Sequence, residues 1–340
     1  MRVVAGWHAS ASELEQISAA LPDGTEVVTL PERDVVAFPY GAERGPYLEA
    51  MANADAVITW VLPTEVVEAA PNLKYVSWLH SGCDRLPFDL FRDRGIELTN
   101  LPDAHQPAIA EHAWALLLAG AKRIVWKHQQ HVGGRFVPYW EDAGVGRTLS
   151  GATLVVVGVG GIGSRLIKMA NAFDMRVIGV RRQAGVAVPG VVQVYGEDEL
   201  HTALAQADFA IIAAPSTTRT RGMFDAAALS AMPEGSVLVN ISRGDLVVER
   251  AIHDALTRGH IGAFASDVWW DYEDAMPPDQ HFGSPSRLGV HLLENVIVSG
   301  DQGSNVHFAR ETMLAGGLRN LREMMSGVRP THQVDLAEQY

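Results

Sequence analysis

The stretch Thr153 to Arg182, TLVVVGVGGIGSRLIKMANAFDMRVIGVRR, constrains the fold of this chain more than any other. Leu154 to Val157 is a short β-branched apolar run, the pattern of a buried strand. Gly158, Gly160 and Gly163 follow at once in G-x-G-x-x-G spacing, then an amphipathic helical segment from Arg165 to Phe173, then a second apolar strand from Met175 to Val180. Each glycine has a physical task in such a βαβ unit. The first permits the tight strand-to-helix turn, the second lets backbone N–H groups approach a pyrophosphate, and the third lets helix and strand pack closely. Gly161 and Ile162 lie inside the turn, at the positive end of the helix where phosphates bind. A lone G-x-G-x-x-G is weak evidence and fits a merely structural turn. Between two strands it predicts a dinucleotide site.

The same unit suggests which dinucleotide. NAD-binding proteins place an acidic residue about 20 positions on, at the tip of the second strand, to accept hydrogen bonds from the ribose hydroxyls. Here Arg181 holds that place, with Arg182 beside it. A guanidinium cannot accept a hydrogen bond, but it pairs with a 2′-phosphate and stacks on adenine. The expectation is NADP(H) over NAD(H), against two solvated surface arginines.

At 340 residues the chain is long for one hydrophobic core, which predicts two domains. Its 47% apolar and 20% charged residues are ordinary for a globular protein, and a net charge of −13 argues against nucleic acid or an anionic membrane as partner. No apolar run is long enough to span a bilayer, and the opening MRVVAGWHAS lacks the apolar stretch of a secretory signal, so a cytoplasmic location is expected. The single cysteine, Cys83, excludes an intrachain disulfide and fits a reducing compartment.

Strand-like and helix-like segments alternate over the first hundred residues: Arg2 to Ala5, Ser12 to Ala20, Glu26 to Leu30, Ala56 to Trp60, Tyr75 to Trp78 and Ile96 to Thr99. This predicts a parallel sheet with helices on its faces. A long apolar helix is expected from Ala108 to about His128, and Gly133 to Ser150, rich in Gly and aromatics without periodicity, reads as a connecting arm. A second βα series continues through Val191 to Val194, Phe209 to Ala213, Ser236 to Asn240, Ala263 to Asp267 and Val296 to Ser299. A last helix, about Val306 to Met325, could pack back on the first domain.

Several motifs in fixed order carry a resemblance. They are YVSWLHSGCDRLP (75–87), GIELTNLPDAHQPAIAEHAWALLLAGAKR (95–123), the glycine unit, AAPSTTRTRGMFD (213–225), VLVNISRGDLVVERAIHDAL (237–256) and AFASDVWW (263–270). Together they resemble the D-isomer-specific 2-hydroxyacid dehydrogenases over nearly the whole chain. The resemblance implies an α/β protein of two Rossmann-like domains: a flavodoxin-like substrate domain from 1–101 and 302–340, and a dinucleotide-binding domain with a parallel sheet from 102–301. It also implies a homodimer built on the nucleotide domain and its preceding arm. Further cofactor contacts are implied at Pro215, Thr220, Ile241 and Asp267. Backbone amides of Ser81, Gly82 and Cys83 would face a small anionic substrate, although a turn needing small residues would look the same.

The implied chemistry is hydride transfer between a nicotinamide and a 2-hydroxy or 2-oxo acid, or a related phosphonate or aldehyde. The family uses an arginine on the carboxylate, a histidine as acid/base and a glutamate that keeps the histidine protonated. Arg243, in NISRG, matches the arginine, whose planar fork suits a carboxylate. The other two positions depart. VIVSGDQGSNV puts Asp301 where the histidine is expected, and DVWWDYEDA puts Tyr272 where the glutamate is expected. Asp301 could carry the proton if burial or a neighbouring carboxylate raised its pKa, Tyr272 could donate instead, or the substrate could dispense with the acid. A nucleotide-binding protein without catalysis is the alternative. No metal is expected, since neither His128 with His131 nor His105, Glu111 and His112 form a convincing set, and Cys83 has no local base to activate it. Trp269 and Trp270 could wall a pocket, although core packing is the commoner use.

Overall fold

Short β-branched runs become strands that pair only in parallel among the described residues, which are 1–32, 44–270 and 285–339 of a computed structural model. The chain divides into two compact units, Met1–Ala104 with His307–Tyr340, and His105–Val306.

In the first unit the strands are β1 (Arg2–Ala5), β2 (Glu26–Thr29), β3 (Ala56–Thr59), β4 (Tyr75–Trp78) and β5 (Glu97–Thr99), in the order β2-β1-β3-β4-β5. That is the doubly wound order of flavodoxin-like sheets. Side chains alternate between faces, so Val4, Val57, Val76 and Leu98 enter one core while Val3, Ala5, Ala56 and Ile58 enter the other. The second core is covered by the last helix, Ala309–Met325, through Leu314, Leu318 and Leu321. Gly317 brings this helix onto the sheet: a methyl group there would overlap Leu79, and its carbonyl accepts from Ser77 Oγ at 2.9 Å. The helix starts three residues after the expected Val306, because Phe308 takes a left-handed conformation (φ 65°) ahead of it.

In the second unit the strands are β6 (Thr153–Val157), β7 (Arg176–Val180), β8 (Gln193–Tyr195), β9 (Phe209–Ile212), β10 (Ser236–Asn240), β11 (Ile261–Ser266) and β12 (Val296–Val298), in the order β12-β11-β10-β9-β6-β7-β8. The chain turns to opposite sides of β6, with β7 on one flank and β9 on the other. This is the switch point at which open α/β sheets bind ligands beyond the carboxyl ends of their strands. Leu154 and Val156 face one core with the helix Gln106–Ala121, and Val155 and Val157 face the other.

Two local expectations are corrected. The single long helix to about His128 is two helices, Gln106–Ala121 and Ile124–Val132, broken where Arg123 turns left-handed (φ 53°). The returning arm causes the break: the Arg147 amide takes the Ala121 carbonyl at 2.7 Å, and Lys122 Nζ donates to the Arg147 carbonyl at 2.8 Å. Strand β8 begins two residues after the expected Val191, whose amide instead closes a turn onto the Val188 carbonyl. Trp269 is core, 4% exposed, and Trp270 packs beside it. Their indole N–H groups donate to the Ser299 and Val247 carbonyls.

Candidate functional site

The glycine turn joins β6 to the helix Gly161–Ala172. Gly158 has φ 98°, a conformation that disfavours a side chain, and a Cβ there would lie 2.5 Å from the Ala214 nitrogen at the exit of β9. A methyl group on Gly163 would fall on the Gly158 carbonyl, so this residue sets how closely helix and strand approach. Nothing lies within 4 Å of the Cβ position of Gly160, which leaves the mouth of the helix open to an anion. A methyl group on Gly161 would overlap the carboxamide of Gln106. Gln106 therefore lies against the phosphate turn, a contact that sequence reasoning missed. It lies within the 95–123 motif, but nothing in that motif assigns it to the glycine turn, and its only further signal is its place in the first turn of its helix. Ile162 is half-buried against the core.

At the tip of β7 the Arg181 amide donates to the Tyr195 carbonyl at 3.1 Å, so the residue continues the pairing with β8. Arg181 is half-buried and Arg182 exposed. In the turn after β9, Thr220 is buried and its hydroxyl donates to the Pro215 carbonyl at 2.6 Å, with Pro215 itself exposed. Ile241 is buried in the core beside β10.

The register aligns Asn240 of β10, Ser266 of β11 and Val298 of β12, so Arg243, Asp267 and Asp301 leave the same carboxyl edge on three neighbouring strands. Arg243 is half-buried. Its backbone is held by Asn240 Nδ2, 2.8 Å from its carbonyl, and its guanidinium donates to the Ser242 carbonyl at 2.8 Å. Asp267 is 6% exposed and organises the loop after β12. Its carboxylate accepts from the Gln302 amide at 3.0 Å and the Gly303 amide at 2.9 Å, and its carbonyl accepts from the Asp301 amide at 2.7 Å. His112 Nε2 stands 3.3 Å from Asp267 Oδ1 and 3.0 Å from Ser299 Oγ.

Asp301 is exposed and left-handed (φ 54°). The loop exposes this residue while tying its backbone to the Asp267 carbonyl. Tyr272, the other candidate for the proton, lies outside the described residues. His105, at the start of the helix Gln106–Ala121, is buried, and burial pushes its pKa down. Among the described residues no group of three or more His, Cys, Asp or Glu could hold a metal ion.

In the first unit, Asn100 Nδ2 donates to the Ser81 carbonyl at 2.7 Å and Trp78 Nε1 to the Gly82 carbonyl at 2.8 Å. In trans peptides the amides of Gly82 and Cys83 then point away from those side chains. Cys83 is a buried thiol outside any disulfide, as a small packing residue would be.

Two doubly wound parallel sheets, one carrying a Rossmann-type glycine turn at its switch point, define a two-unit dinucleotide-binding class. Residues 114–299 match the family described as D-isomer specific 2-hydroxyacid dehydrogenase, NAD binding domain. The glyoxylate reductase of Thermococcus kodakarensis is 30% identical over 331 residues, covering 92% of this chain and 93% of that protein. The acyclic imino acid reductase Bsp5, solved with NADPH and D-Arg, superposes with a TM-score of 0.80 at 21% identity, covering 98% of this chain and 100% of that one. The D-lactate dehydrogenase of Aquifex aeolicus, solved with NAD and lactic acid, gives 0.76 at 22% identity, covering 96% of each chain. The chain belongs to the D-isomer specific 2-hydroxyacid dehydrogenase family, whose members are NAD(P)-dependent dehydrogenases and reductases acting on CH–OH groups. No helix among the described residues is long and apolar enough to cross a membrane.

Proposed function

We propose that this chain is an NADP(H)-dependent oxidoreductase of a small anionic 2-oxo or 2-hydroxy acid, with its first unit taking the substrate and its second the dinucleotide. When bound, the dinucleotide supplies or accepts the hydride. The amides around Gly160, Gly161 and Ile162 hold its pyrophosphate beside Gln106, while Pro215, Thr220, Ile241 and Asp267 serve the same ligand further along the sheet edge. Arg243 grips the substrate carboxylate with its planar fork, and the Ser81–Cys83 amides add donors to the anion. The fold accommodates both dinucleotides, since one structural neighbour carries NADPH and another NAD. The choice of NADP(H) rests on one observation, the guanidinium of Arg181 at the tip of β7 with Arg182 next to it, where an NAD enzyme needs an acceptor. We further assign a homodimer and a cytoplasmic location.

Titrating intrinsic fluorescence with NADPH and NADH tests this. NADPH should bind more tightly, and Arg181→Asp should reverse the order through the loss of a charged contact of about 1.5 to 3 kcal/mol. Equal or tighter binding of NADH by the unmodified chain would remove the basis of the claim. Turnover of glyoxylate that disappears in Arg243→Ala separates an enzyme from a silent nucleotide-binding protein.

The exposure of Asp301 favours a second substrate for the same site. A carboxylate at this edge of the sheet suits a protonated imine as its counter-ion, and such a substrate brings its own proton. Bsp5 is described as an imino acid reductase. Amine-dependent NADPH oxidation with glyoxylate, giving an amino acid, would establish this reading, and a rate unaffected by added amine would dismiss it.

A further inference from the structure

The imidazole of His112 sits at a junction that the family's proton chemistry does not explain. It projects from the helix Gln106–Ala121 toward the carboxyl edge of β11 and β12, with Nε2 3.0 Å from Ser299 Oγ and 3.3 Å from Asp267 Oδ1. Ser299 opens the loop after β12: its amide donates to the Ser266 carbonyl at 2.9 Å and its carbonyl accepts from Trp269 Nε1 at 2.8 Å. Asp267 closes the loop by accepting from the Gln302 and Gly303 amides. A Cβ on Gly303 would lie 3.0 Å from Asp267 Oδ2 and 3.3 Å from the His112 ring, so the loop rests on both side chains. One imidazole nitrogen thus reaches both ends of the segment that displays Asp301.

An almost fully buried carboxylate is held in one orientation only if its donors have fixed positions. The backbone ties this segment to the end of β11, through the Ser299 amide on the Ser266 carbonyl and the Asp301 amide on the Asp267 carbonyl, but neither bond orients the Asp267 carboxylate. The helix, packed on the sheet through Ala113, Leu116 and Leu117, supplies the external reference. Imidazole is suited to the task because its nitrogen meets both partners from a rigid ring, donating or accepting according to its tautomer.

We propose that His112 is a positioning residue for the reaction: through Asp267 and Ser299 it fixes the Ser299–Gly303 loop and hence the place of Asp301. The proposal rests on the oxidoreductase reading for its catalytic half only, since its structural half concerns amides whose exchange can be followed without substrate. His112→Leu keeps bulk and removes the polar nitrogen, while His112→Gln restores a group that can donate or accept without an imidazole.

Amide hydrogen exchange of the full chain is the first measurement. Exchange at Gln302 and Gly303 should speed up by about tenfold in His112→Leu, the equivalent of roughly 1.4 kcal/mol, and return toward the original rate in His112→Gln. Turnover of glyoxylate with NADPH is the second. Its kcat should fall by roughly 10- to 100-fold in His112→Leu with little change in KM, as small misplacements of a reacting group produce, and recover in His112→Gln. Unchanged exchange at Gln302 and Gly303 in His112→Leu overturns the proposal whatever the turnover does. Faster exchange with unaltered kcat overturns the positioning role. Faster exchange in a protein that binds NADPH but turns nothing over overturns the oxidoreductase reading, and the catalytic half of the proposal with it.

Discussion

Gly158 and Gly163 show how a single missing side chain can set a geometry. The Gly158 carbonyl occupies the space that a methyl group on Gly163 would need, so Gly163→Ala forces the helix Gly161–Ala172 away from β6. Overpacking of this kind costs about 1 to 3 kcal/mol, and because the same displacement moves the first-turn amides, NADPH affinity should fall together with the thermal midpoint. A variant that melts lower yet binds NADPH as before would separate packing from the anion site. The tasks of these glycines were legible in the sequence because each is local to one turn. The exposure of Asp301 was not, because the loop that carries it is tied to Asp267, which is remote in sequence, and Asp267 in turn lies beside His112, which is more remote still. His112 itself was visible only as one member of a poor metal set, and proximity to the β11 edge cannot be read from spacing along its own helix.

Among the elements, the helix Ala11–Ala20 is specified at both levels. Ser10 and Glu13 form a capping box, with the Glu13 amide 3.3 Å from Ser10 Oγ and the Ser10 amide 2.9 Å from Glu13 Oε2. The same carboxylate accepts from Arg310 Nε at 2.8 Å, which ties the start of the first unit to the helix Ala309–Met325. Burial alone would raise the Glu13 pKa, but the hydrogen bonds from Arg310, the Ser10 amide and Trp7, with the Arg310 charge, outweigh it and hold the group below its ordinary 4.5. A carboxylate with a depressed folded pKa contributes stability that is fully present above the unfolded pKa and is lost as pH falls through the folded one. Glu13→Gln should therefore cost about 1 kcal/mol at neutral pH, a modest figure because Arg310 is partly exposed, and the deficit should vanish in acid well below pH 4.5. Denaturant melts of both proteins across that range check the sign, and a deficit independent of pH would mean that the charge contributes nothing. The broken helix at Arg123 has the opposite lesson. Its two halves share one apolar pattern, and the arm that takes the Ala121 carbonyl arrives from Arg147, beyond the reach of periodicity.

At the scale of the whole chain, the alternation of strand and helix announced two parallel sheets, and the ordered motifs announced the family. Strand order within each sheet became legible only through that resemblance, since periodicity gives elements and not neighbours. Assembly is the remaining property at this scale, and the proposed homodimer bears on the arm of the second unit. Phe136, Tyr139 and Trp140 are 77%, 91% and 71% exposed within a few residues of one another, an arrangement costly in water for side chains of this size. We expect a second copy of the chain to cover them. Sedimentation at micromolar concentration should give twice the mass of the chain, and Tyr139→Ser with Trp140→Ser should shift the protein toward monomer while dinucleotide binding, which we place beyond β6 and β7, persists. An unmodified chain that sediments as a monomer over the whole concentration range would refute the homodimer. A double variant that remains dimeric would move the interface away from the arm, toward other faces of the second unit.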